Sequence, residues 1–134
     1  ERPASTWNGD EFYPDALPCL DRLREGGFRV AAVGNTPAET EEMLREHVDV
    51  LGSSGRWGVE KPAPEFFERV ASAVGLPPGE IAYVGDRVDN DVAPALAAGM
   101  VAVHVRRGPW GHLHEPPAGA IRIRSLDELP EALA

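Results

Sequence analysis

Three short segments of this chain carry residues that could do chemistry. In Val84-Gly85-Asp86-Arg87-Val88-Asp89-Asn90-Asp91, three carboxylates fall within six residues, directly after the apolar run Ile81-Ala82-Tyr83-Val84. Clustered carboxylates repel one another unless a cation joins them. Oxygen donors of this kind suit Mg²⁺, which takes one or two carboxylates together with water and substrate phosphate. Asp89 and Asp91 are also explained as acids favoured in the first turn of a helix, but Asp86, at a strand tip behind a glycine, is not. The second segment holds Lys61. Of thirteen basic residues it is the one lysine, the other twelve being arginine. An ammonium is a compact point charge that fits beside a carboxylate and a phosphoryl oxygen where a planar guanidinium does not; a solvated surface lysine is the plain alternative. The third is Gly34-Asn35-Thr36. Glycine there lets backbone approach a ligand, and a helix start offers unpaired N–H groups to an anion, although a tight turn with an N-cap explains the same residues.

The elements that must position these residues follow from periodicity and punctuation. Residues 1–10 are polar and aperiodic and read as a loose arm. Leu17, Leu20 and Leu23 recur at helical spacing after Pro14, and Gly26-Gly27 end that helix. Residues 28–33 read as a buried strand. Thr36-Pro37-Ala38-Glu39 is a capping box that opens a helix to about His47. Residues 48–51 form a second strand and 53–60 a glycine-containing loop. Pro62 and Pro64 open a helix whose apolar face is Phe66, Phe67, Val70, Ala71 and Val74, and Gly75 ends it. Residues 81–84, 100–105 and 120–124 are strands. A short helix capped by Asp89 or Asn90 runs through Ala98, and the capping box Ser125-Leu126-Asp127-Glu128 starts a terminal helix. Helices and strands alternate with short connections throughout, which predicts an α/β protein with a mostly parallel sheet. In such sheets ligands bind at the carboxyl ends of the strands, where the Asp86 and Gly34 segments lie; Lys61 stands at a loop–helix junction.

Composition narrows the classes. At 134 residues the chain is about one domain long. It is 43% hydrophobic and 26% charged, enough to bury a core, so disorder is excluded as an overall reading. No run approaches the roughly 18 apolar residues a membrane span needs. A net charge of −9 argues against nucleic acid or an anionic membrane as partner. A single cysteine, Cys19, forms no intramolecular disulfide, which makes the cytoplasm the expected compartment. Cys19 lies on a leucine-rich helix and belongs to the core. His47, His104, His112 and His114 lack zinc-type spacing and read as surface residues. Trp57 and Trp110 sit in glycine-containing loops, where they either wall a pocket or cover the core. Ser53-Ser54 has no partner that spacing identifies, so a serine hydrolase is unsupported.

The order of the three segments is more telling than any one. A strand followed by Gly34-Asn35 and a helix, then Gly58-Val59-Glu60-Lys61-Pro62, then Tyr83-Val84-Gly85-Asp86 with Asp91, resembles the haloacid dehalogenase (HAD) superfamily. The resemblance runs from Tyr13-Pro14 through Gly108-Pro109-Trp110-Gly111. It implies the C-terminal part of a Rossmannoid three-layer sandwich, with residues 1–12 as the tail of a cap and residues 13–134 as an incomplete core. It further implies that Lys61 steadies the charge of the nucleophile and phosphoryl group. Asp86 would bind Mg²⁺ directly, Asp91 would support the metal through water or hydrogen bonds, and Gly34, Asn35 and Thr36 would lie against the phosphate. The family places a hydroxyl at the position of Gly34, so phosphate would be oriented there by backbone N–H groups or by Thr36. The implied activity is a Mg²⁺-dependent phosphatase acting on a small phosphorylated metabolite.

One family motif is absent. It is an apolar strand ending in Asp-x-Asp, whose first aspartate attacks phosphorus and whose second serves as general acid and base. No stretch before Lys61 has that form. The chain therefore reads as a fragment lacking the central strand and most of the cap, inactive by itself. Its strands 28–33 and 81–84 should face each other across a gap, an exposed-edge liability relieved by another piece of the same protein, by a second copy in a homo-oligomer or by rearrangement. The alternative is a non-catalytic HAD-like module that binds metal, phosphate or a protein.

Overall fold

The computed structural model describes residues 16–37, 45–105 and 118–133. In chain order the elements are α1 (Ala16–Glu25), β1 (Ala31–Gly34), β2 (Val50–Ser53), α2 (Ser54–Trp57), α3 (Pro64–Val74), β3 (Ala82–Gly85), α4 (Ala93–Ala97), β4 (Val101–Val105), β5 (Ile121–Ile123) and α5 (Leu129–Ala132). All strand pairs are parallel, and they form two sheets rather than one: β1-β2 and β3-β4-β5. Among the described residues, the second edges of β1 and β3 carry no strand partner. This matches the expected separation of these two strands.

Strand alternation sends side chains to opposite faces and so builds three layers. On one face Val30, Ala32, Val48, Val103, Val105 and Ile123 pack with Cys19, Leu20 and Leu23 of α1 and with Leu126 and Leu129 at the C-terminal end. On the other, Tyr83, Met100 and Ala102 pack with Phe66, Phe67, Val70 and Val74 of α3 and with Val92 and Ala95. Ala31 and Val33 of β1 join this second cluster while Ala32 joins the first, so both cores run across both sheets. Apolar burial, rather than strand pairing, joins the two sheets.

Several boundaries differ from those the sequence predicts, each for a local reason. The first strand begins at Ala31, not Phe28. Gly27 adopts φ +92°, and the N–H groups of Gly27 and Phe28 donate to the carbonyls of Arg24 and Leu23. That is a Schellman closure of α1, and it commits Phe28 to the helix end. The Val30 N–H donates to Asp49 Oδ2 at 2.8 Å, so the ladder opens one residue later. The predicted loop 53–60 contains α2. Ser53, at the end of β2, caps it by accepting from the Arg56 N–H at 3.1 Å. Trp57 at the end of α2 lies over Gly52, where a Cβ would stand 2.1 Å from the indole, and meets Phe66 edge-on at 5.2 Å between centroids. Trp57 therefore covers the core.

The helix α3 starts at Pro64 rather than Pro62, leaving Lys61 in the turn before it. At the C-terminal end Ser125 makes no side-chain cap; Glu128 Oε2 instead accepts from the Arg124 N–H at 3.3 Å, and a short 3₁₀ turn precedes α5. The predicted arm 1–12, most of the helix expected to reach His47, Ala38 and Glu39 of the capping box, Trp110, His112 and His114 lie outside the described residues. Among the described residues no helix is long and apolar enough to cross a membrane.

Candidate active site

The site forms where the ends of β1 and β3 meet the turn before α3. Gly85 is the last residue of β3, and Asp86 follows it, 4% exposed. The chain then enters a widened, π-type helical turn, Val88–Val92, in which the Arg87 carbonyl accepts from both the Asp91 and Val92 N–H groups. Such widened turns are costly and concentrate at functional sites. This one carries Asp91 back under the strand end, where it is buried at 1% exposure.

Asp91 and Lys61 form a buried ion pair, with Nζ 2.6 Å from Oδ1 and side-chain exposures of 5% for Lys61 and 1% for Asp91. The other carboxylate oxygen, Oδ2, accepts from the Arg87 N–H at 3.2 Å. Burial pushes the Asp91 carboxyl up, while the Lys61 charge, the hydrogen bond from its Nζ and the Arg87 N–H pull it down. Both oxygens thus already accept from protein donors, an arrangement that fits a supporting rather than a direct metal role for Asp91.

Asn35 holds the backbone of Lys61. Its Oδ1 accepts from the Lys61 N–H at 2.8 Å and its Nδ2 donates to the Lys61 carbonyl at 3.2 Å. The Asn35 side chain is therefore spent on aiming the lysine. Gly34 ends β1 opposite Ser53, and the Thr36 carbonyl accepts from the Gly55 N–H at 3.0 Å and from Ser54 Oγ at 3.3 Å. These bonds tie the end of β1 to the start of α2.

The third carboxylate of the acidic run points away. Asp89 is exposed and takes both ends of the Arg87 guanidinium, at 3.1 and 2.9 Å. The Arg87 hydrogen bond holds the Asp89 carboxyl below its ordinary value. Asp86, Asp91 and Lys61 therefore remain as the buried charged side chains among the described residues, two carboxylates against one ammonium. A buried carboxylate is expensive unless a cation or hydrogen bonds offset it. No three His, Cys, Asp or Glu side chains converge among the described residues. Mg²⁺ does not require three, because water and substrate phosphate complete its shell. The donor set thus fits Mg²⁺ at Asp86.

His104 was not expected here. Read as a surface residue, it is instead fully buried in β4, with Nε2 3.2 Å from the Asp86 carbonyl oxygen. The signal available in the sequence was a polar residue inside the apolar strand Val101-Ala102-Val103-His104-Val105. Surface residues rarely occupy such a strand.

Gly85 makes the arrangement possible. A Cβ there would stand 2.4 Å from both Cβ and Cγ of Asp91, so one of the two residues has to move. Gly85→Ala is expected to cost about 1–3 kcal/mol through overpacking. It should also pull Asp91 off Lys61. Chemical denaturation measures the first effect, and a double-mutant cycle with Asp91→Asn the second.

A parallel α/β sandwich with an acid–lysine cluster at its strand ends defines a Rossmann-like core. A model of the haloacid dehalogenase-like hydrolase family matches residues 4–99. The chain belongs to that family. It is 39% identical over 127 residues to a glyceraldehyde 3-phosphate phosphatase of Methanopyrus kandleri, with 89% of this chain and 50% of the relative covered. A phosphoserine phosphatase of Thermus thermophilus is 34% identical over 103 residues, covering 72% of this chain and 41% of the relative. The structure is similar to that of a HAD phosphatase from Thermococcus onnurineus, with a TM-score of 0.78 at 30% identity, covering 92% of this chain and 59% of that one. The chain spans about half the length of the curated relatives it matches.

Proposed function

We propose that this chain is the C-terminal portion of a Mg²⁺-dependent phosphatase that hydrolyses a small phosphomonoester through an aspartyl-phosphate. Residues 13–134 are then its incomplete core and residues 1–12 the tail of its cap. The observation that carries the reading is the buried cluster of Asp86, Asp91 and Lys61 at the strand ends. Supporting it are the names of the phosphatase relatives and their roughly doubled length.

Lys61, held by Asn35 and Asp91, presents a fixed positive charge for the phosphoryl oxygens and the attacking carboxylate. Asp86 would hold Mg²⁺, which when bound supplies further stabilisation of phosphoryl charge. Asp91 keeps the Lys61 ammonium in place, and backbone N–H groups at Gly34 and Asn35 would receive the phosphate. The attacking aspartate comes from a segment of the whole protein not contained in this chain. Cys19, buried in the core, is compatible with a reducing cytoplasm.

The test is phosphate release from small phosphomonoesters, including a generic aryl phosphate. The whole protein should release phosphate with Mg²⁺ and stop on chelation, while these 134 residues alone release none. Turnover insensitive to chelation would reject the metal assignment. Turnover by this chain alone would reject the missing nucleophile.

A further inference from the structure

We propose that His104 is a positioning residue of this site, acting on Asp86 and Asp91 through the peptide unit that joins Asp86 to Arg87. The reading of Asp86 as a Mg²⁺ holder enters only into the metal measurement below.

A fully buried imidazole in an otherwise apolar strand is costly unless it is hydrogen-bonded. The parallel register sets His104 opposite Gly85, which places it beside the tip of β3. Its Nε2 lies 3.2 Å from the Asp86 carbonyl oxygen. A carbonyl only accepts, so Nε2 carries the proton in this contact. The N–H of the same peptide unit belongs to Arg87 and donates to Asp91 Oδ2 at 3.2 Å.

The peptide unit is planar and rigid, so fixing the direction of its C=O fixes the direction of its N–H. One flat group is thus gripped at both ends, by His104 on one side and Asp91 on the other. Asp91 in turn holds the Lys61 ammonium through Oδ1, and Asn35 holds the Lys61 backbone. The result is a continuous line of hydrogen bonds from β4 through the end of β3 and the widened turn to Lys61, and on to the end of β1. It links the two sheets where no strand pairing does. The Cα of Asp86 belongs to this gripped unit, so the contact bears on the point from which its side chain leaves the backbone.

The test uses the full chain with ¹⁵N-labelled histidine and two variants. Glutamine keeps an N–H donor for the carbonyl, whereas leucine fills the space without one. Wild-type His104 should be the Nε2-protonated tautomer in long-range ¹H–¹⁵N spectra. His104→Leu should lose protection of the Arg87 amide against hydrogen exchange and weaken Mg²⁺ affinity about tenfold or more, the range seen for partners that orient metal ligands. In the whole protein it should lower kcat with little change in KM. His104→Gln should restore most of each property, which a residue needed only to fill space would not do. A proton on Nδ1 instead, or wild-type exchange at Arg87 in the leucine variant, overturns the proposal. A wild-type chain that shows the Nε2 tautomer and the Arg87 effect but binds no Mg²⁺ would reject the metal reading and leave the positioning role standing.

Discussion

Replacing Lys61 by methionine should lower phosphate release by the whole protein roughly 10³-fold. It should also destabilise the fold by about 3–5 kcal/mol, the cost of leaving a buried charge without its partner. Methionine preserves most of the stem, so both effects belong to the ammonium. The activity loss follows from removing the fixed cation aimed at the phosphoryl group. The stability loss follows from the 2.6 Å pair, whose members are 5% and 1% exposed. Without Lys61, Asp86 and Asp91 become two buried carboxylates with no buried cation among the described residues. The two effects separate in the double variant Lys61→Met with Asp91→Asn. Removing both charges restores most of the stability and none of the turnover. Chemical denaturation and initial rates, measured on the same four proteins, check this. A single variant with wild-type turnover would reject the assignment of Lys61.

Asp86→Asn should remove the stabilisation by Mg²⁺ and lower activity about as far as Lys61→Met does. With Mg²⁺ at about one hundred times its dissociation constant, the wild type should gain about 2.7 kcal/mol while the variant gains nothing. Turnover should fall roughly 10³-fold because the group that holds the metal is gone. Thermal melting with and without Mg²⁺ reads the first two results. Equal Mg²⁺ stabilisation in both proteins would show that Asp86 is not the metal holder.

Much of this was legible along the chain. Glycine and proline punctuation and the two hydrophobic periods marked the alternation of helices and strands, because these signals arise from neighbours in sequence. The strand tips were legible too, and with them Asp86, Asp91 and Lys61, because a parallel sheet displays its chemistry there. The aim of individual side chains was not. Asn35 turns to the Lys61 backbone, Asp89 turns out to Arg87, and Asp91 turns under Gly85. Each direction depends on the π-type turn or on an approach between segments 26 or more residues apart. His104 was misplaced for the same reason, since its strand pairing with β3 and its partner at Asp86 lie 18 residues away.

The sequence by itself therefore determined the α/β alternation, the family resemblance and the identity of the charged residues, all of which are written in local order. Only the tertiary structure decided which carboxylate pairs with Lys61. It also showed that the strands divide into two sheets joined by apolar packing and by the line from His104 to Asn35. Pairing and burial depend on distances between chain segments, and local periodicity holds no record of them.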